Sequence, residues 1–424
     1  MLEGLRKLSE LIVIVVMLLT YGCPLQAIVH AYGYDKGGRI TSTQMSGQFA
    51  TLDTYSYSYM IGTAYTSLRS SVSSTLGSAS WVTNYSYDQL NRLKQATTTG
   101  AYPMTSSYNY DANGNRLSGS TTGTGASTPY NNTYQYDTAN QLKQVNSTTC
   151  TNDGNGNQTG CGTNYVETYN PRNQTTSASS PNGNLTHQYV GADSTQRTST
   201  GGSHATTYTY NALGLGTEKD SLGNVIAYTR DNKGNLVSER TSSESYHYLF
   251  DGLGSVVGLM NSQENLVDSY VYDPYGVTEH QTGSQYNPWQ FASGYFDAST
   301  LYYKYGTRYY DRFGRWTQKD PVPSANPYVY TNDDPVNEVD PSGRDSITQD
   351  LQIACVAVFG GTVLAGVGGG YITIGAVITL IAAETKAAAI AAIYNIVGGL
   401  ILGISAVLLT IGAYYTCKAA GVFR

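Results

Sequence analysis

A Tyr-X-Tyr-Asp phrase returns roughly every twenty residues along most of this chain, and a fixed period limits the fold to stacked or laterally paired copies of one unit. The clearest copies are Tyr85-Ser-Tyr87-Asp88, Tyr108-Asn-Tyr110-Asp111, Tyr134-Gln-Tyr136-Asp137 and Tyr270-Val-Tyr272-Asp273. Each is followed by a turn-forming stretch rich in Asn or Gly and then a short exit such as Arg92-Leu93 or Arg116-Leu117. Alternation along a strand sends both rings of Tyr-X-Tyr to one side. Asp with Asn or Gly supplies a tight turn that needs positive φ. One unit therefore reads as a β-hairpin, and a lone hairpin cannot bury its apolar face, so neighbours must pair or stack. The repeat also explains why the chain holds 39 Tyr and 46 Gly against 7 Phe: a tyrosine ring packs while its hydroxyl keeps a polar partner.

The ends are different material. Arg6 and Lys7 precede the apolar run Leu11–Leu19, which leads to Gly22, Cys23, Pro24 and the small residues Ala27 and Ala31. That order is the one found in secretory leaders, so residues 1–31 are expected to be a signal peptide or N-terminal anchor, and the mature chain to meet an oxidising compartment. Of the five Cys, Cys150 and Cys161 flank an Asn/Gly-rich stretch and Cys355 and Cys417 lie near the ends of the C-terminal apolar region; spacing suggests these two pairings as disulfides. No Cys/His cluster has zinc spacing, so neither a metal nor a cofactor is expected.

After Asp350 the composition shifts to Gly, Ala, Ile, Val and Leu. Two apolar runs, 353–383 and 387–415, are separated by Glu384-Thr-Lys386. Each exceeds the about 20 residues that span a bilayer as a helix, so a two-helix transmembrane hairpin is expected, the alternative being a helical pair enclosed in protein. Gly366 with Gly370 and Gly399 with Gly403 are spaced to let helices approach closely, as in membrane-active segments and in plain anchors alike.

The Tyr-Asp units resemble the YD repeats of the RHS (rearrangement hot spot) family. The stretch Gly294-Tyr295-Phe-Asp297, Leu301–Asp311, Gly314-Arg315-Trp316 and Asp320-Pro321, with Asn326–Tyr330 and Asp340-Pro341-Ser-Gly343, is similar to that family's core-domain signature. The resemblance covers roughly residues 30–344. It implies a β-sheet coiled into a shell, a core domain that closes it and a variable C-terminal segment, often a toxin. It also implies aspartyl-protease-like self-cleavage by Asp320 and Asp340, with Lys319 as a neighbouring cation where many members have Arg. By position the scissile bond is then Arg344–Asp345, although Arg344 replaces the usual Leu and Pro323 the usual Gly. Such a pair works by sharing one proton, one carboxylate activating water while the other protonates the carbonyl.

The expected organisation is thus mainly β: a leader (1–31), a YD-repeat region (32–265) forming a curled sheet or partial shell, a core domain (266–344), and the hydrophobic segment 345–424 with its two helices. The five His are scattered and no hydrolase elbow or phosphate loop occurs, which points away from a metabolic enzyme. Basic residues are few and dispersed and the formal net charge is -6, which argues against nucleic acid as a partner. The expected role is an exported, envelope-associated or secreted carrier of polymorphic-toxin type. Its C-terminal segment would contact a membrane, and it would be paired with an immunity protein. The competing reading is a membrane-anchored surface protein whose Tyr-rich strands bind glycans or neighbouring cells.

Overall fold

In the computed structural model the described residues are 11–15, 29–47, 51–61, 63–191, 195–344 and 346–348. The chain divides into two units, one of Met1–Ile14, Ala31–Thr43 and Ile347–Arg424, the other of Val15–His30 and Gln44–Ser346. In the first, Asp35 closes a turn by accepting the N–H groups of Gly37 and Arg39 at 2.8 and 3.0 Å.

The second unit is an antiparallel meander in which each strand pairs with the next. It runs from Thr51–Ser58 on Ser71–Leu76 to Leu266–Tyr272 on Thr278–Thr282. The same local design recurs at each Tyr-Asp unit. The register slips by one residue just before the second tyrosine, between Ser86 and Tyr87, Asn109 and Tyr110, Gln135 and Tyr136, and Val271 and Tyr272. This bulge bends the strand into its turn. The aspartate then latches the turn. Asp111 Oδ1 accepts the N–H groups of Asn113 and Asn115, both at 2.8 Å, and Asp137 Oδ1 accepts those of Ala139 and Gln141, both at 2.9 Å. The third residue after the aspartate takes positive φ: 80° at Gly114, 60° at Asn140 and 87° at Gly276. That geometry selects Gly or Asn, and it is a single left-handed residue closing a turn rather than a two-residue hairpin loop.

The two tyrosines of a unit have separate tasks. The first turns its ring into the core: Tyr108, Tyr134 and Tyr270 are 1%, 5% and 1% exposed. The second donates its hydroxyl to a backbone carbonyl of the preceding hairpin. Tyr110 reaches Leu93 O at 2.7 Å, Tyr136 reaches Arg116 O at 2.8 Å, Tyr189 reaches Thr175 O at 2.9 Å and Tyr272 reaches Val256 O at 2.7 Å. Phenylalanine could fill the space but could not tie one unit to the last.

The buried face of the meander carries the core segment. Tyr295–Asp297, Tyr302–Tyr305 and Arg308–Tyr310 form a small antiparallel sheet of their own. Its rings and those beside it meet the first tyrosines of successive hairpins: Tyr275 against Tyr108, Phe313 against Tyr134, Tyr295 against Tyr208 and Trp289 against Tyr228. Tyr305, Tyr310, Trp316 and Tyr330 close into one aromatic cluster.

The expected fold class needs correction. Among the described residues the chain is strand and turn, with two 3-10 turns at Phe291–Ser293 and Thr331–Asp333. No helix among them is long and apolar enough to cross a membrane, which leaves β-strand spans unaddressed. The two-helix transmembrane hairpin is therefore not part of this fold, and the runs 353–383 and 387–415 assigned to it lie outside the described residues. Apolar length was a weak guide because it does not distinguish helix from strand. Leu11–Val15, inside the N-terminal apolar run, is a strand, as its alternating Ile and Val favour.

Removing the second-tyrosine hydroxyl by Tyr136→Phe is expected to cost about 1 kcal/mol, and removing a turn latch by Asp137→Ala about 1–2 kcal/mol, in urea denaturation. Equal stability of Tyr136→Phe and wild type would show that the inter-hairpin hydrogen bond contributes nothing net.

Candidate functional site

The end of the core segment folds back on itself through two glycines. Gly306 has φ 40°, and a side-chain carbon there would lie 2.0 Å from Ser342 O. Gly343 has φ 64°, and one there would lie 2.6 Å from Tyr305 O. Only backbone can pass so closely, so the Tyr305–Arg308 turn and the Asp340–Gly343 turn interlock. Thr307 N–H then donates to Ser342 O at 2.9 Å.

This fold-back brings Asp320 and Asp340 to one group, the guanidinium of Arg308. Its Nη2 lies 2.8 Å from Asp320 Oδ2 and 3.1 Å from Asp340 Oδ2. Its Nη1 donates to Pro327 O at 3.1 Å, its Nε donates to Gly343 O, and its plane lies over Trp316 with Cζ 4.1 Å from the ring centre. Burial pulls the guanidinium below its ordinary value, against the opposing pull of the two carboxylates. Asp320 Oδ1 accepts Val322 N–H at 2.8 Å. Asp340 Oδ1 accepts the Ser342 hydroxyl and Arg344 N–H, each at 3.0 Å.

The carboxylates singled out from sequence are thus brought together, but by a cation that sequence did not single out. Lys319 is exposed to solvent. Arg308 lies inside the core signature, at the start of a strand whose other residues, Tyr309 and Tyr310, are aromatic. The peptide engaged here is Gly343–Arg344. Thr307 Oγ1 donates to its carbonyl at 3.1 Å beside Arg308 Nε, and Asp340 holds its N–H. Two donors on a carbonyl oxygen can stabilise charge developing there during acyl transfer. Asp345, on the far side of the expected scissile bond, lies outside the described residues.

Elsewhere, Cys150 and Cys161 face each other in register across a hairpin and are joined by a disulfide with Cα atoms 4.0 Å apart. Cys355, Cys417, Gly366, Gly370, Gly399 and Gly403 lie outside the described residues. The first tyrosines, which a glycan-stacking surface would display, point inward instead.

Residues 66–336 match the teneurin YD-shell family model, more than half of the chain. The tRNA3(Ser)-specific nuclease WapA of Bacillus spizizenii is 28% identical over 276 residues, which cover 61% of this chain and 12% of the nuclease. Salivary gland surface protein 1 of Aedes aegypti is 34% identical over 139 residues, covering 31% of this chain and 4% of that protein. This chain therefore spans a small fraction of the curated relatives it matches. Among solved structures, the crystal structure of TcdB2-TccC3-Cdc42 superposes with TM-score 0.61 at 17% identity, over 78% of this chain and 19% of that one. At that identity the likeness is one of fold.

Arg308→Met should cost about 3–5 kcal/mol, because the buried Asp340 and the partly buried Asp320 lose their partner together. Arg308→Lys should recover less than half, since one ammonium cannot serve both acids and two carbonyls. Both are read by guanidinium chloride denaturation. Opening the disulfide by Cys161→Ser should cost about 3 kcal/mol, as expected for a short closed loop with a sequence separation of 11.

Proposed function

The chain belongs to the YD-shell family, and from that premise we propose that its repeats and core segment form an exported carrier of polymorphic-toxin type, with the hydrophobic stretch 345–424 as the part carried. The observation that supports this most is the Asp320–Arg308–Asp340 cluster, which grips the backbone where the core signature ends and the unrelated C-terminal composition begins. Arg308 and the buried Asp340 hold the two sides of one peptide group, and Asp320 is held by the same guanidinium, which is more than a structural junction alone would need.

In this reading the cluster cuts the chain. Water attacks the Gly343 carbonyl carbon, a carboxylate of the Asp320/Asp340 pair takes its proton, and the oxyanion forms against Arg308 Nε–H and the Thr307 hydroxyl. The C–N bond breaks and the amine of Arg344 leaves with that proton. The donors among the described residues are aimed at the Gly343 carbonyl, one peptide bond before Arg344–Asp345. The freed segment, nearly devoid of charge, would act at a membrane, and a producing cell would need an immunity protein against it. The similarity to a salivary gland surface protein of Aedes aegypti leaves a cell-surface role as the second reading, in which the segment stays attached and serves as an anchor.

Expression of the full chain with a C-terminal tag tests this. A fragment whose first residue is Arg344 or Asp345, absent in Asp320→Asn and in Asp340→Asn, is the expected result. An intact chain in all three removes the processing step. Growth and membrane potential, compared between the full chain and one ending at Arg344, then separate carrier from anchor: only the former predicts depolarisation that requires residues 345–424.

A further inference from the structure

The core segment is fastened to the sheet not only by ring contacts but by two buried glutamates. Glu167, on Val166–Tyr169, is 2% exposed; its Oε1 accepts the hydroxyl of Tyr302 at 2.8 Å and its Oε2 that of Tyr169. Glu218, on Gly214–Asp220, is 4% exposed; its Oε2 accepts the hydroxyls of Tyr295 at 2.8 Å and Tyr286 at 3.4 Å, and its Oε1 that of Tyr228. Tyr295 and Tyr302 belong to the core segment, while both glutamates belong to the sheet. Among the described residues no ion pair reaches either glutamate. Arg197, whose charge lowers Glu218, is committed to Asp297 at 2.7 and 3.0 Å.

We propose that docking of the core segment onto the sheet is a proton-linked latch, closed in acid and loosened at neutral to alkaline pH, with Glu167 and Glu218 as its proton-binding groups. The inference goes beyond carriage and self-cleavage and does not depend on either. A carboxyl can remain buried among phenols if it is neutral, sharing its proton with them, whereas a carboxylate there has only hydroxyl donors to replace water. Burial raises Glu167 to about 7 and raises Glu218 as well, against the lowering effect of their tyrosine donors. The phenols keep their own protons, since burial raises Tyr169, Tyr302, Tyr228 and Tyr295 well above their ordinary range.

The charges facing each latch differ. Glu167 faces Asp311 of the core segment, which raises it further, and neutral Gln158 of the preceding strand; Arg312 faces its partner Tyr302. Glu218 faces Arg197 and Tyr208 on the preceding strands, Asp297 lies near Tyr208 and Tyr286, and Glu239 stands on the strand beyond. The sign follows from linkage. The docked state binds these protons more tightly than the open state, where the carboxyls return to ordinary values. Raising the pH from about 4.5 toward 7 therefore favours opening through Glu167 by up to tenfold per pH unit, Glu218 acts in the same direction, and each contribution stops above that group's docked value.

Other buried acids of raised value, Glu239 and Asp273 among them, tilt global stability the same way, so the test must be local. It is hydrogen–deuterium exchange of peptides covering residues 295–310 in the full chain between pH 5 and 8, corrected for intrinsic rates. Wild type should lose more than tenfold protection across that range, and Glu167→Gln/Glu218→Gln should lose most of this slope. Glu239→Gln, whose partner Tyr248 lies on the sheet, should retain it. If the double variant does not fold, each single variant should reduce the logarithmic slope below that of wild type. Equal slopes in wild type and every foldable glutamate variant, or no pH dependence in wild type, overturn the latch. Failure of chain cleavage would leave this result untouched.

Discussion

At the Tyr-Asp units among the described residues the turn is closed by an aspartate that accepts two backbone N–H groups, with asparagine in the same place at Asn170 and Asn261, and the rest of the fold depends on that latch. It sets the left-handed residue three places on and starts the return strand in a fixed register. With the bulge in front of it, it also decides which side of the sheet the two tyrosines face. Because the geometry repeats, the second tyrosines Tyr110, Tyr136, Tyr189 and Tyr272 arrive in equivalent places relative to the preceding hairpin. Their hydroxyls can then find the same kind of carbonyl each time. A small electrostatic device inside one hairpin is thereby converted into order between hairpins.

The inward rings create a second requirement, since one face of a long sheet must be covered. The core segment meets it with rings of its own, contacting hairpins far apart in sequence. It also meets buried charge. Asp297 takes Arg197, and Glu167 and Glu218 take core tyrosines, while the core's own Arg308 takes Asp320 and Asp340. Docking of the core and restraint of the chain at Arg344 are thus built from the same material, buried polar groups that are stable only with every partner in place.

Much of this was legible beforehand, and for definite reasons. Tyr110 and Asp111 announce a strand end and a turn because alternation and positive φ are local properties. Asp320 and Asp340 could be paired because both precede proline in a recognisable signature. Arg308 could not be assigned, because its role depends on two interlocked turns, 306–307 and 342–343, that meet only in three dimensions. Nor could Glu167 and Glu218, which in sequence are ordinary strand residues. The helical part of the expected fold class has no counterpart among the described residues, since hydropathy measures the solvent a segment prefers and carries little information about backbone geometry.

By itself the sequence determined the repeating hairpin, the residues that make its turn and the boundary at which the composition changes, whereas burial of the first tyrosines was settled only by the packing of the core segment. The former follow from interactions between residues a few positions apart. Only the tertiary structure decided which cation sits between the two aspartates, which peptide they grip, and which glutamates are buried against core tyrosines. Those choices are made by groups separated by up to 135 residues, and chain closure over such distances leaves no local trace in the residues it brings together.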